Sequence, residues 1–414
     1  MATIRPFRAL RPEPNVAAAV SAVPYDVVNT AEARALAAGD PLSFLHVSRP
    51  EIDLPDGTDP YADQVYAKAR ENFETLKREA PLSVELQPSL YVYRLQMGTH
   101  SQTGIAACCS MDEYDADIIK KHERTRKDKE DDRTRHMLAI SAQTGPVFMT
   151  YRQRPEINEI LATTKDSDPL YDFVAPDEIQ HTMWRVNASN VQPLVEAFQS
   201  VRSIYIADGH HRAASAARAR DTLKAENSAH RGDEAYNFFL CVLFTSNEVQ
   251  ILPYNRIVKE LNGLNPRQLL STLEKQFEVQ AGGPPSPAEK GAISMRLENQ
   301  WYSLSLLSEV TKPLGPIASL DVSVLEDRIL EPILGITDIR TDKRIDFVGG
   351  IRGPAELERM VADGRAAVAF SMYPVSLDEL MAISDAGAIM PPKSTWFEPK
   401  LRDGLLSHLI SGEE

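Results

Sequence analysis

The chain has three cysteines, Cys108, Cys109 and Cys241, in 414 residues. So few cannot build a disulfide framework, and none has the Cys-x-x-Cys spacing or the histidine partner that a zinc site needs. Cys108 and Cys109 fall in an apolar, strand-like run, where core packing is the expected role. There is no Gly-x4-Gly-Lys-Ser/Thr stretch, which excludes a P-loop kinase. No apolar run approaches the length of a membrane span, and the opening Met1-Ala2-Thr3-Ile4-Arg5-Pro6-Phe7 lacks a basic-then-apolar leader pattern. A cytoplasmic protein without a membrane partner is expected. Positive charge is also in deficit: 45 Lys and Arg stand against 59 Asp and Glu, a net charge of -14. Nucleic-acid binding rests on clustered positive charge, so nucleic acid is not an expected partner and any anion site must be local.

What is present is ordinary for a folded protein, with 43% hydrophobic and 25% charged residues. A chain this long is expected to form two or three domains, placed at 1–95, 96–260 and 261–414. Composition and pattern predict an α+β protein. In the first region Ile4 to Leu10 and Ser43 to Ser48 read as strands, Ala31 to Ala38 and Tyr61 to Glu79 as helices. Leu90 to Leu95 and Gln102 to Met111 read as a hairpin, Gly145 to Tyr151 as a strand, and His181 to Val186 as an exposed or edge strand. Asn237 to Phe244 and Val249 to Tyr254 read as a second hairpin. Gly282 to Pro287 is the most linker-like stretch, and the alternation of strands and helices from Ala292 to Ile383 predicts a separate α+β unit.

The most informative stretch is Ile204-Tyr205-Ile206-Ala207-Asp208-Gly209-His210-His211-Arg212-Ala213-Ala214-Ser215-Ala216. A short run rich in β-branched and aromatic residues breaks at Asp-Gly, and an alanine-rich segment follows at once, predicting strand, tight turn and helix. The unpaired N–H groups and the dipole of such a helix start favour an anion. Asp208 can cap the turn or hold a metal, Gly209 can take a positive φ, and His210, His211 and Arg212 bring hydrogen-bonding or cationic groups to the mouth. Phosphate is the natural guest.

Ile118 to His136 is dense in both signs of charge, with His122, Glu123, Arg126, Lys129 and Arg133 among them. With few apolar positions to dock it, such a helix either lies on the surface or lines a polar cleft, and both readings stand. The Pro-rich segment Met390 to Gly404 reads as a strap anchored by Trp396 and Phe397. Alternatively it returns to the site with Lys393 and Ser394 facing an anionic group.

These stretches resemble the family catalogued as domain of unknown function 1015, nearly end to end. Pro24 to Val28, Phe44 to Ile52, Lys121 to Arg133, Tyr205 to Ser215, Ile251 to Lys259 and Met390 to Leu401 carry the resemblance. The Asp208 to Arg212 turn is also similar to that of ParB/sulfiredoxin-like proteins, in particular the free serine kinases. There a Glu-containing segment, a Gly-Pro-like break and an Asp-Gly-His-His-Arg strand end follow in the order of His122-Glu123, Gly145-Pro146-Val147 and Asp208 to Arg212 here, with a longer spacing between the last two. The resemblance implies a mixed-sheet core of ParB/sulfiredoxin-like type at 96–260, flanked by N-terminal and C-terminal α/β elements. It implies an ATP- and Mg2+-dependent kinase making O-phospho-L-serine from L-serine. In that reading Glu123 is the general base, and Asp208 and His210 act with it, Asp208 also touching the metal. Gly209, His211, Arg212, Arg126 and Lys129 would hold the nucleotide, and His122, Arg133, Lys393 and Ser394 the substrate. A ParB-like nucleotide switch and a non-enzymatic metabolite-binding protein are the alternatives. A sulfiredoxin-like reductase would need a cysteine at the turn, and there is none. Homo-oligomerisation is left open.

Overall fold

The computed structural model describes residues 2–310 and 315–411. Among them the chain forms two compact units, one from Met1–Val249 with Pro399–Glu414, the other from Gln250–Glu398. The strand Tyr91–Met97 runs through the boundary expected at 95/96 and pairs with His100–Ser110, so both sides of that point share one sheet.

The first unit is α+β, built on a nine-stranded mixed sheet. Its strand order is Ile119–Lys120, Ile204–Asp208, Val147–Tyr151, Phe238–Thr245, His100–Ser110, Tyr91–Met97, Gln180–Arg185 and Tyr171–Val174, with Ile4–Arg5 added beside His100–Ser110. Val147–Tyr151 lies antiparallel to Ile204–Asp208 and parallel to Phe238–Thr245. Helices Pro155–Lys165, Ala188–Phe198 and His210–Glu226 contribute Ile157, Leu161, Leu194, Phe198, Ala213, Ala216 and Ala219 to the core formed with Ile105, Val147, Met149, Ile206 and Leu243. The small alanine side chains let helix His210–Glu226 approach the sheet closely. Cys109 and Cys241 belong to this core and Cys108 is buried too, all three as free thiols, as their apolar context implied.

Several local expectations are corrected. Ser43 to Ser48 is not a strand: Leu45–Ser48 is a helical turn in which Ser48 N–H donates to Phe44 O at 2.9 Å. Phe44, Leu45, Val47 and Ser48 are all buried in a helical layer, and tertiary packing overrides the β propensity of the run. His181 to Val186 is not an edge, because Gln180–Arg185 pairs on both sides, with Tyr91–Met97 and Tyr171–Val174. The second hairpin does not form: Phe238–Thr245 pairs with His100–Ser110 and Val147–Tyr151, whereas Gln250–Leu252 pairs with Trp396–Glu398. The charged segment is a short strand at Ile119–Lys120, a loop, and a helix only over Lys127–Ile140.

That helix lies between two others. Tyr66 Oη of helix Asp63–Glu79 donates to Asp132 Oδ1 at 2.9 Å, and Ser215 Oγ of helix His210–Glu226 donates to Glu130 O at 3.2 Å. Its polar residues therefore face partners across helix–helix contacts, and Asp132, Thr134 and His136 are buried.

The second unit carries a six-stranded sheet in the order Phe277–Ala281, Gln300–Leu306, Ala292–Leu297, Val368–Ser371, Tyr254–Val258 and Ile345–Gly349. Gly282 to Pro287, expected as a linker, lies in the connection between two strands of this sheet, and its Gly283 is tight against Ser303, where a Cβ would stand 2.5 Å from the backbone nitrogen. Among the described residues no helix is long and apolar enough to cross a membrane.

Candidate functional site

Strand Ile204–Asp208 ends with a register shift between Ile206 and Asp208 against Val147–Tyr151. Gly209 follows with φ 93° and ψ 30°, and helix His210–Glu226 begins at the next residue. Ala213 N–H closes the first helical turn on Gly209 O at 3.1 Å, so the amides of His210, His211 and Arg212 precede any intrahelical acceptor. The expected strand, turn and helix are thus all present. Asp208 Oδ1 accepts from Gly209 N–H at 2.9 Å within the turn, while the helix start itself has no side-chain cap.

Glycine at 209 is required twice over. The left-handed backbone costs a side-chain-bearing residue about 1–2 kcal/mol. A Cβ would also stand 2.8 Å from Arg212 Nε and 2.9 Å from its Cζ, because the arginine folds back beneath the turn. We expect Gly209→Ala to lose more stability in urea denaturation than Gly39→Ala. Gly39 has a φ of 80° and nothing within 4 Å of a Cβ, so it isolates the backbone cost. Equal losses would show that the Arg212 contact is immaterial.

Arg212 is the hub of the charges. Its Nη1 donates to Pro146 O, and Nη2 lies 3.7 Å from Asp208 Oδ2 and 3.9 Å from Asp26 Oδ2. Burial disfavours the guanidinium charge, but the carboxylates of Asp26, Asp208 and Asp403 outweigh it and raise the pKa. Lys400 Nζ donates to Asp208 Oδ2 at 3.1 Å. Burial alone would raise the Asp208 pKa, yet Lys400 and Arg212 hold it far below the usual carboxylate range.

His210 and His122 are 4% and 2% exposed, and their rings meet edge to face with centroids 4.4 Å apart. His122 N–H points at His210 Nε2 at 3.4 Å. Burial depresses both, His122 to about 4 and His210 well below the ordinary value with the added influence of His122, so both imidazoles are neutral at physiological pH. Glu123 Oε2 is 3.8 Å from His210 Nδ1, and this carboxylate is 46% exposed, open to an incoming group. His211 Nε2 accepts from Arg126 N–H at 3.0 Å, tying the loop before helix Lys127–Ile140 to the turn.

Of the other expected residues, Arg126 pairs with Asp128 at 2.7 Å with its side chain 70% exposed, and Lys129 Nζ donates to Tyr61 Oη at 2.9 Å. Arg133 points inward, stacked on the Tyr25 ring at 4.2 Å and donating to Asp132 Oδ2 and Ser48 O. Lys393 and Ser394 belong to the second unit: Lys393 O accepts from Arg256, and Ser394 Oγ donates to Pro391 O at 2.7 Å.

Asp208 Oδ2 is already held by two cations, so a divalent ion there would have to share it with Lys400 and Arg212. The donor set that the fold brings together is His122, Glu123 and His210, with ligand-type atoms all within 4.8 Å of one another. Two imidazoles and one carboxylate suit Zn2+ or Mn2+ better than Mg2+, which prefers oxygen.

Tyr25, Asp26, Ser48, Lys400 and Asp403 reach the site without having been picked out from the sequence. Pro24-Tyr25-Asp26 was singled out only as part of a stretch carrying the family resemblance, and the tail as a strap or a segment returning to the site; nothing in their local pattern announces a buried charge. Asp403 is 2% exposed, and burial pushes its pKa up to about 7 against the pull of Arg212. Because the folded value lies above the ordinary 3.8, this group's contribution to stability is present at low pH and is lost as pH rises from about 4 to 7. Asp403→Asn is expected to abolish that slope. The variant should become more stable relative to the parent as pH rises, by on the order of 4 kcal/mol at pH 8, read from denaturation curves at several pH values. A difference independent of pH would refute the assignment.

The fold and site define an α+β protein with a glycine-turn helix start, two neutral buried imidazoles and a carboxylate-ringed arginine. The chain belongs to the family described as Protein of unknown function (DUF1015), which it matches over residues 4–323. Among solved structures it is similar to a free serine kinase variant in complex with AMP, at 12% identity and TM-score 0.36, covering 73% of this chain and 92% of that one. It is also similar to a conserved hypothetical protein from Pyrococcus furiosus, at 14% identity and TM-score 0.35 with 74% and 95% covered. SbnI from Staphylococcus aureus, with a C-terminal truncation, is a third, at 12% identity and TM-score 0.39 with 75% and 90% covered. No curated protein matches the chain.

Proposed function

We propose that this protein is a nucleotide-dependent kinase that phosphorylates the hydroxyl of a free amino acid, L-serine being the acceptor implied by the resemblance of the turn. The observation that carries the reading is the junction at Gly209: amides without intrahelical acceptors, a buried arginine beneath them, and a half-exposed carboxylate 3.8 Å from His210. Phosphates of ATP dock on the amides of His210, His211 and Arg212, and the helix dipole favours them there. Arg126 and Lys129, at the mouth, turn to the phosphates once nucleotide enters. Asp208 is the turn carboxylate that would hold Mg2+ brought in with the nucleotide substrate, where the ion would help neutralise phosphate charge.

In the transfer, the acceptor hydroxyl gives its proton to Glu123 while its oxygen forms a bond to the γ-phosphorus. The bond from that phosphorus to the bridging oxygen breaks, and ADP leaves. Neutral His210 orients Glu123 without neutralising it, which a cationic imidazole would do.

Purified protein with ATP, Mg2+ and a panel of free amino acids, followed by phosphorus NMR, is expected to yield phosphoserine and ADP. Nucleotide binding without any phosphorylated amino acid would overturn the kinase reading and leave a nucleotide switch or binding protein.

A further inference from the structure

Three residues that line one cavity of the first unit each carry a buried side-chain atom without a hydrogen-bond partner: Ser48 Oγ, Arg212 Nε and Asp403 Oδ1. Buried polar atoms are nearly always satisfied, so three orphans around one space point to something that fills it. The cavity measures about 30 Å³, with Tyr25, Arg133 and Thr144 on its walls. One water needs about 10–15 Å³, so the space takes two or three water-sized polar groups, the number that one ammonium and the two oxygens of a carboxylate present. Gly145 keeps it open, since a Cβ there would stand 3.0 Å from Asp403 Oδ1 and 3.4 Å from Arg212 Cδ.

The orphans are of opposite kinds. Arg212 Nε and Ser48 Oγ can donate to an anion, while Asp403 Oδ1 can accept from a cation. A phosphate would meet the Asp403 carboxylate with like charge, and an amine would meet the two arginines. An ammonium and a carboxylate joined through one carbon satisfy both sides.

We propose that this cavity receives the head group of an α-amino acid, its carboxylate toward Arg212 and Ser48 and its ammonium toward Asp403. That it is the acceptor's subsite rests on the kinase reading above. Arg212 links the two places physically. Its guanidinium lies beneath Gly209 at the phosphate turn and also forms a wall of the cavity. An amino acid held by its head group therefore projects its side chain from a point one arginine away from the turn.

Binding to the full chain in the presence of ADP tests this by calorimetry. The probes are L-serine, ethanolamine, which lacks the carboxylate, and 3-hydroxypropionate, which lacks the ammonium. L-Serine is expected to bind and each analogue to bind at least about tenfold more weakly. Ser48→Ala and Asp403→Asn are each expected to weaken L-serine about tenfold or more while leaving ADP affinity unchanged. Should Asp403→Asn fail to fold, Ser48→Ala carries the test, since it removes only one hydroxyl. L-Serine binding that neither variant changes, a parallel loss of ADP affinity, or a cavity holding only water with no amino acid bound would each overturn the proposal. Serine binding that the variants weaken, without phosphoserine formation, would keep the subsite and sink the kinase reading. Phosphoserine formation with an unchanged KM for serine in both variants would do the reverse.

Discussion

Replacing Arg212 with Leu is expected to destabilise the first unit by about 3–5 kcal/mol, the usual loss when one partner of a buried charge cluster is removed. The side chain is 5% exposed, and it is the cation shared by Asp26, Asp208 and Asp403. Without it Asp208 keeps Lys400, but Asp26 and Asp403 lose the cation they share, Asp403 keeps only the weaker pull of Arg133 and Arg402, and the donor to Pro146 O is gone. The carboxylates would respond by taking up protons. The variant should therefore recover stability as pH falls from 8 toward 5, more than the parent does. Pairing Arg212→Leu with Asp403→Asn should return part of the loss, because it removes one of the stranded charges. Denaturation of the single and double variants at both pH values settles the point. A loss below about 1 kcal/mol, insensitive to pH, would mean that the guanidinium is not what balances the cluster.

If the proposed kinase reading holds, Glu123→Gln is expected to reduce amino-acid phosphorylation by about a hundred- to ten-thousandfold, the range associated with losing a general base. Glutamine keeps the size and hydrogen-bonding reach of the side chain but cannot take the proton. Nucleotide affinity should stay within about twofold, since the phosphates are assigned to the helix start rather than to Glu123. A parallel loss of nucleotide affinity would move Glu123 from proton transfer to binding. Unchanged turnover would place the base elsewhere. Single-turnover assays with ADP-binding measurements on the same protein separate these results.

The turn was legible in the sequence because its signals are local: a β-rich run, Asp-Gly, then alanines. Gly209 has the positive φ anticipated, and Asp208 bonds the Gly209 amide within the turn. The bland cysteines were equally plain, since their neighbours are apolar. Less could be read where the determining contact is distant. Ser43 to Ser48 has strand-like residues but is covered by helix Asp63–Glu79, and Gln180–Arg185 is enclosed between Tyr171–Val174, just before it, and Tyr91–Met97, much earlier in the chain. The choice between surface and cleft for the charged helix depended on helices some 65 residues earlier and 80 later in sequence, as the Tyr66–Asp132 and Glu130–Ser215 contacts show. For the tail, a strap and a return to the site were both open readings, and nothing local singled out Asp403 or Lys400 within it. No local pattern tells that residues after a whole second unit close the charge cluster of the first.

That arrangement bears on the order of assembly. The first unit's sheet of Ser83–Val84, Ala9–Arg11, Ser407–Leu409 and Ala142–Gln143 includes a strand made only after the second unit has been synthesised. On the ribosome, the Gly209 turn would emerge with Arg212 and Asp208 but without Lys400 and Asp403. The second unit shortens the wait in another sense. Its first strand, Gln250–Leu252, and its last, Trp396–Glu398, pair antiparallel with Ile251 opposite Phe397. Once that ribbon zips, the excursion between residues 249 and 399 becomes a loop already closed at its neck. The entropy of recapturing the tail is then that of a short tether rather than of the whole intervening chain.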